Sequence, residues 1–379
     1  MLSAENGREA VLCFSRKKLL EFHLHNDPNL PVAWGPWFSH EYLTYYSVKS
    51  LDSLMALPQI PVKTNPRYGD NLWPISPKHI DYYKENWRET RKLDLLQTFD
   101  YKKRNGEYAA EAPQGKKIEP WKVLVIYSTE PDLYPDTDLF LHKNQKVTGG
   151  SHGWRHMQFR LLGATYGIAP ESFRVHRELA ELAFENGNAY WGWRYLSRAA
   201  HYLADLGNPF HVKALPGLFL AKKMFSRHDL FKIVSAIHQS YEVYVERRFR
   251  EGFEPFQKAL MEGARAGQSA GMDLTRKTSL NSYIKKARKW HNRIFYYFLN
   301  EFGQELLDAF ASMDSKSKLD AAAQTNRCAA SAAKILFKEE NHSKLDFLDN
   351  ITVGILVDVG RMLGALFASI CVQRQVNRH

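Results

Sequence analysis

Apolar residues recur at helical spacing through most of the chain after residue 154. In one segment, apolar or aromatic side chains stand at Tyr190, Trp193, Leu196, Ala200 and Leu203. Residues three or four apart share one face of a helix, and an apolar face of this kind packs into a core. The pattern predicts an all-α fold with helices at 154–167, 170–187, 188–207, 228–252, within 255–312, at 317–338 and at 344–372.

Strand signals are weak by comparison. The apolar run at 121–128, WKVLVIYS, is the best strand candidate, although it could equally thread the core before the acidic loop that follows. Residues 58–120 are rich in Pro, Gly, Lys, Tyr and Asn, which predicts long loops around one or two helices. We therefore expect a multi-helix bundle with a loop-rich insertion.

The most apolar stretch of the chain is 351–372 near its C-terminus. Asp358 and Arg361 interrupt this run. Charged residues are rare in the middle of a membrane span, so the pattern favours a buried bundle helix over a transmembrane one.

The eleven residues HYLADLGNPFH at 201–211 contain the strongest candidates for metal ligands in the sequence. His201 and Asp205 are four residues apart, so they share one face of a helix. Gly207 and Pro209 stop that helix, which lets His211 turn back towards the same region. Two imidazoles and a carboxylate brought together in this way suit a borderline metal such as zinc.

A second pair, His238 and Glu242, repeats the four-residue spacing on a later predicted helix. Either pair alone is more often an ordinary polar pair than a metal site. Both are bordered by aromatic and small residues, however, and their combination favours a site. The three cysteines are far apart and fit neither a disulfide framework nor a thiolate site, so His, Asp and Glu must hold any metal.

The segment YLSRAAHYLADLGNPFHV resembles the signature of the zinc-dependent phospholipase C / P1 nuclease family, in which a helical His-x3-Asp precedes Pro-x-His. The segment HQSYEVYV, with His238 and Glu242, looks like the second ligand helix of that family. Upstream, AWGPWFSH, STEPD and GWRHM resemble its remaining ligand segments. The resemblance spans about residues 34–245 and is strongest at 201–211 and 238–242.

This resemblance implies an all-helical enzyme with three zinc ions in one cleft. The ligands of one zinc would be Asp132, His156, His201 and Asp205. Those of a second would be His211, His238 and Glu242. Those of the third would be His40, Asp205 and the backbone amine and carbonyl of Trp34. Asp205 would then bridge two metals, and Asp132 would be the candidate catalytic base or water-orienting carboxylate.

Alternatives remain for two of these upstream ligands. Asp136 and Asp138 compete with Asp132, which is favoured because its flanking residues fit the family pattern better. His152 precedes His156 by four residues and is an alternative ligand there. The other histidines, His79, His142, His176 and His291 among them, are interpreted as surface or core residues.

The family has a branch that cleaves phospholipid headgroups and a branch that cleaves single-stranded nucleic acid. The pair His238-x3-Glu242 fits the lipase branch, and the Gly-Gly-Asn stretch expected of a nuclease is missing between His211 and His238. The net charge of +11 suits an anionic partner of either kind. The sequence therefore predicts a zinc-dependent phosphodiester hydrolase of the phospholipase C type, with a phospholipid or other phosphate diester as substrate and peripheral membrane contact. The alternatives are a single-strand nuclease of the same fold and a non-enzymatic membrane-docking helical protein.

The resemblance also implies that the chain has three parts. Residues 34–250 would form the zinc-binding catalytic domain, with the insertion at about 58–120, and 251–379 would add C-terminal helices to the same domain. Residues 1–33 would be an N-terminal extension that lacks the apolar core of a normal signal peptide. Its removal would free the amine of Trp34 for the third zinc; otherwise a two-metal site is expected. By resemblance, we expect a secreted or extracytoplasmic monomer.

Overall fold

A computed structural model describes residues 39–61, 117–128, 131, 142–148, 150–217, 227–311 and 331–376. Helices hold 77% of these residues and strands 4%, which confirms the predicted all-α fold. Two antiparallel strand pairs complete the secondary structure of the described ranges. They are β1 (Ile60–Pro61) with β2 (Lys117–Ile118), and β3 (Phe159–Leu161) with β4 (Ala164–Tyr166).

The N-terminal half of the described chain contains seven helices. They are α1 (Ser39–Lys49), α2 (Asp52–Met55), α3 (Pro120–Ile126), α4 (Ser151–His156), α5 (Ala169–Glu185), α6 (Ala189–Asp205) and α7 (Pro209–Val212). A 3-10 turn, Gln145–Thr148, precedes α4. The predictions at 170–187 and 188–207 are thus confirmed. Each residue of α6 from Tyr190 to Asp205 is buried, so α6 is a central helix with α5 packed along it.

Two sequence predictions in this half are wrong. The apolar run at 121–128 forms α3 instead of a strand, because Pro120 begins a helix well and a continuous apolar run has no diagnostic period. The helix predicted at 154–167 ends at His156 and gives way to the β3–β4 hairpin. Leu162 (φ 48°) and Gly163 (φ 84°) form the two-residue turn of this hairpin.

The C-terminal half contains the remaining helices. They are α8 (Arg227–Arg250), α9 (Glu254–Ser269), α10 (Lys277–Glu301), α11 (Gly303–Ala311), α12 (residues 331–336) and α13 (His342–Val376). The helices predicted at 228–252, within 255–312 and at 344–372 are confirmed. Of the segment 317–338, the residues before 331 lie outside the described ranges.

The most extensive helix contact joins α9 and α13 through glycines on both sides. A Cβ atom at Gly263 would collide with the carbonyl oxygen of Val357, and one at Gly360 would collide with that of Leu260. Gly267 and Gly364 extend this close approach in the same way. Small residues on both helices therefore let the two backbones touch.

By length and composition, one helix in the described part of the chain, Glu339–Ile370, could cross a membrane. The protein buries 67% of its most apolar window, as expected for the predicted bundle helix. Buried apolar side chains from every described helix except α4 form one continuous core, which joins the C-terminal helices to α6 and α1.

Candidate metal centre

The end of α6 and the short helix α7 bring three predicted ligands together. His201 and Asp205 lie on one face of α6 and are buried. The side chain of Asn208 caps α7 by accepting a hydrogen bond from the backbone N–H of Phe210. The resulting turn places Nδ1 of His211 3.0 Å from Oδ1 of Asp205. The predicted helix stop therefore produces the expected return of the chain.

The carboxylate of Asp205 lies against four imidazoles, two on each oxygen. Its Oδ2 lies 2.8 Å from Nδ1 of His156 and 3.3 Å from Nε2 of His201. Its Oδ1 lies 3.0 Å from Nδ1 of His211 and 3.4 Å from Nε2 of His40. A carboxylate in this position can contribute one oxygen to each of two neighbouring ligand groups.

We call the group around Asp205, made of His40, His156, His201 and Asp205, the first cluster. Nε2 of His201 lies 2.9 Å from Nδ1 of His156, and the rings of His201 and His40 stack. Nδ1 of His201 lies 2.7 Å from the backbone oxygen of Ser128. If this nitrogen donates its proton to Ser128, the lone pair of Nε2 faces the cluster, as a metal ligand requires.

A second cluster, made of His211, His238 and Glu242, forms where α7 meets α8. Oε1 of Glu242 lies 3.1 Å from Nε2 of His211 and 2.9 Å from Nε2 of His238. The same oxygen accepts a hydrogen bond from the side-chain amide of Asn208 at 3.0 Å. Asn208 therefore both caps α7 and positions the carboxylate of the second cluster.

The donor sets of both clusters fit a metal ion. The ligand atoms of His40, His201 and Asp205 lie within 4.8 Å of one another, and so do those of His211, His238 and Glu242. With bonds of about 2.0–2.1 Å, a tetrahedral zinc separates its ligand atoms by roughly 3.4 Å. The nitrogen–oxygen separations within the second cluster are close to this value. Each cluster could therefore hold a metal ion after small side-chain movements.

The two carboxylates and His211 each influence whether the others are protonated. Burial alone would raise the pKa of Asp205, but His201, His211 and His156 hold it well below its usual range. Burial would likewise raise the pKa of Glu242, yet His238 and His211 lower it to about 2. Burial opposes the protonation of His211, but Asp205 and Glu242 raise its pKa to about 10. A metal ion at His211 must therefore displace a proton.

His201 is in the opposite state. Burial is the main cause that lowers its pKa to about 3, and the adjacent His40 adds to the effect. Its imidazole is consequently neutral at neutral pH, which is the form that coordinates metals.

Seven of the nine predicted ligands fall within the described residues, and the structure brings all seven into the two clusters. They are His40, His156, His201, Asp205, His211, His238 and Glu242. Trp34 and Asp132 lie outside the described residues, as do the competing Asp136 and Asp138 and the side chain of His152.

Sequence reasoning missed two supporting groups. Ser128 contributes through its backbone oxygen, which leaves no signal in the residue type. Asn208 belongs to the Gly-Asn-Pro stop and carried a detectable signal as a helix N-cap, but its contact with Glu242 depends on the packing of α8. Two other histidines are engaged elsewhere: His142 stacks on Trp154, and Nδ1 of His176 lies 2.9 Å from the backbone oxygen of Ser172.

Comparison of the chain with protein-family models, curated proteins and solved structures finds no match.

Proposed function

We propose that this chain is a zinc-dependent phosphodiester hydrolase of the phospholipase C type. One observation carries the proposal: five histidines converge on two carboxylates, one buried and one partly buried. Asp205 lies against His40, His156, His201 and His211, and Glu242 lies against His211 and His238. Buried ionisable groups gathered in this number are more typical of a functional site than of a core.

The chemistry of the donors supports zinc over harder cations. Imidazole nitrogens outnumber carboxylates in both clusters, whereas magnesium and calcium prefer sites made of oxygen ligands. Support from a carboxylate, a carbonyl or an amide is also typical of histidine-based metal sites. Here Ser128 supplies a carbonyl to His201, and Asn208 supplies an amide to Glu242.

Phosphate ester hydrolysis follows from what two neighbouring metal sites can do. Bound zinc ions neutralise phosphate charge and lower the pKa of water, which is the chemistry this reaction needs. The protein holds the first cluster in a dry environment, where Asp205 and His201 are almost fully buried and electrostatic interactions are strong. Asp205 in the first cluster and Glu242 in the second each lie against the imidazoles of their cluster and orient them.

Glu242 supports the phospholipase branch. Its Oε1 is shared by His211, His238 and Asn208 at 2.9–3.1 Å. An aspartate, which is one methylene shorter, could not reach all three from the same backbone position. The second cluster is therefore built around a glutamate, in agreement with the His-x3-Glu pattern of that branch.

Metal content and substrate choice test the proposal. We expect about two to three zinc ions per purified chain, measured by mass spectrometry of the metals. The zinc-loaded protein should hydrolyse p-nitrophenylphosphorylcholine and lose this activity on treatment with EDTA. Cleavage of single-stranded DNA without cleavage of the choline ester would identify the nuclease branch instead. A zinc-loaded protein that hydrolyses neither substrate would contradict an enzymatic function.

Two ligand variants and a control test the site itself. His201→Ala and Asp205→Ala each remove a ligand that no neighbour replaces, so hydrolysis should fall by at least about a hundredfold. His342→Ala removes an exposed histidine at the start of α13 and should leave activity unchanged. Full activity in either ligand variant would overturn the assignment of the first cluster.

A further inference from the structure

The β3–β4 hairpin and the 3-10 turn that packs on it each expose one large apolar side chain. Leu162 is 85% exposed, more than the other exposed large apolar residues of the described ranges. Val147 is 40% exposed and lies on the 3-10 turn that packs against β4. Leu162 also has a positive φ of 48°, which is uncommon for a leucine. One exposed apolar side chain therefore stands at the hairpin tip and another on the turn beside the hairpin.

Three basic residues lie on this hairpin or near its base. Arg160 is exposed on β3, and Arg288 of α10 donates a hydrogen bond from Nε to the backbone oxygen of Val212 at 2.9 Å. Lys213 follows Val212 directly. Arg288 therefore lies beside Lys213, and partial burial followed by the charge of Arg160 lowers the pKa of Arg288. Arg288 is thus exposed to positive charge from Arg160 on one strand of the hairpin and lies beside Lys213.

No carboxylate within the described ranges forms an ion pair with Arg160, Lys213 or Arg288. Cations held together without an acidic partner are electrostatically unfavourable in the protein alone. An anionic ligand would remove this repulsion. This part of the surface therefore combines an attraction for negative charge with exposed apolar side chains.

The hairpin is attached to the candidate metal centre. The backbone N–H of Gln158 donates to the backbone oxygen of His211 at 2.9 Å. The second cluster is also the more accessible one, because the side chains of His238 and Glu242 are 15% and 13% exposed and that of Asp205 is 1% exposed. The segment 211–213 thus links the hairpin and the cations to the accessible side of the site.

We propose that this part of the surface docks the protein on an anionic phospholipid bilayer. The docking surface consists of Val147, Arg160, Leu162, Lys213 and Arg288. Leu162 enters the boundary between headgroups and acyl chains, and the three cations contact lipid phosphates. A free phosphate or a nucleic acid would use the cations but leave Leu162 in water, so the apolar tip favours a bilayer. Docking would also bring lipid to the second cluster, and only this consequence rests on the proposed function.

Binding of the full chain to vesicles tests the docking surface without requiring catalysis. Metal-free protein should sediment with vesicles of phosphatidylcholine and phosphatidylserine, less with phosphatidylcholine alone, and less at high salt. Leu162→Ser should weaken the partition coefficient by at least about tenfold, because a buried leucine side chain is lost. Arg160→Gln should weaken it roughly fivefold. Arg265→Gln, an equal charge change at an exposed position of α9, should leave it unchanged.

Several outcomes would overturn docking. One is normal vesicle binding by Leu162→Ser, and another is vesicle binding that does not depend on phosphatidylserine. A third is an equal loss of vesicle binding in Arg265→Gln and Arg160→Gln. The soluble substrate p-nitrophenylphosphorylcholine separates this proposal from the proposed function. Vesicle binding without hydrolysis of that ester supports docking and contradicts the enzyme, whereas hydrolysis without vesicle binding supports the enzyme and contradicts docking.

Discussion

Asp205 and His211 are in direct contact, with Oδ1 of the carboxylate 3.0 Å from Nδ1 of the imidazole. The other ring nitrogen of His211 faces Glu242 at 3.1 Å. If Nε2 serves as a metal ligand, the N–H group at Nδ1 donates a hydrogen bond to Asp205, which orients the ring and makes it a stronger ligand. The carboxylate at the centre of the first cluster thus also supports a ligand of the second.

Asp205→Asn should therefore weaken zinc binding at the second cluster as well as at the first. The reference is His201→Ala, which removes a ligand of the first cluster but keeps the contact between Asp205 and His211. Residual zinc affinity, measured by chelator competition, should be about 10–100-fold weaker in Asp205→Asn than in His201→Ala. Asp346→Asn, at an exposed position of α13, is the charge control. Equal residual affinities in Asp205→Asn and His201→Ala would show that the two clusters are independent.

Asn208 has two functions that a substitution can separate. Asn208→Ser keeps an oxygen that caps α7 but lacks the amide that donates to Glu242. Both variants lose the hydrogen bond to Glu242, so the free energy of unfolding of the metal-free protein should be lower in Asn208→Ala than in Asn208→Ser by about 1 kcal/mol, through the lost cap. Both variants should bind zinc roughly tenfold more weakly. Normal zinc binding by Asn208→Ser would mean that the contact with Glu242 does not support the metal site.

The close contact of α9 and α13 predicts a marked sensitivity to added methyl groups. Gly360→Ala places a Cβ atom on the backbone oxygen of Leu260 and should lower the free energy of unfolding by about 1–3 kcal/mol. Gly354→Ala on the same helix meets only Trp290, at 3.9 Å, and should be neutral or stabilising by about 0.5–1 kcal/mol. Urea unfolding measures both. Equal effects in the two variants would mean that backbone contact does not limit this interface.

Buried tyrosines predict a loss of stability at alkaline pH. Tyr244 donates a hydrogen bond to Asp349, and burial, followed by the charge of Asp349, raises its pKa well above the usual value. Above about pH 10 the unfolded chain ionises this group before the folded one does, so the free energy of unfolding falls as pH rises.

Tyr244→Phe removes this ionisation and so measures how much it contributes to the pH dependence of stability. The slope of the free energy of unfolding against pH should become smaller by about 1.4 kcal/mol per pH unit above pH 10. The lost hydrogen bond shifts the curve at every pH without changing this slope, so the two effects are separable by urea unfolding across a pH series. An unchanged slope would show that Tyr244 ionises equally in the folded and unfolded states.

The helices show where local pattern is sufficient and where it fails. Segments 170–187 and 188–207 have apolar stripes of several turns, and both become helices close to the predicted bounds. The run at 121–128 is largely apolar, so its period could not distinguish a strand from a helix. It forms a helix that begins at Pro120, a residue suited to the first helical position. At 154–167 the helical pattern was misleading, because the Leu162-Gly163 turn pairs β3 with β4 instead.

The sequence by itself determined the parts of the site that depend on short spacing. Positions four apart on a helix must share a face, so His201 with Asp205 and His238 with Glu242 needed no knowledge of the fold. The Gly-Asn-Pro stop likewise turned His211 back towards them. For His40 and His156, the sequence alone offered only a resemblance to ligand segments of a known family.

Only the tertiary structure decided how these groups meet. His40 comes from α1, which packs on α6, and His156 comes from α4, which packs on α5. This packing brings both imidazoles to Asp205. The positions of Ser128 against His201 and of Asn208 against Glu242 arise in the same way. The physical reason is that helical spacing is set by local backbone geometry, whereas contacts between distant residues depend on how complete helices bury their apolar faces against one another.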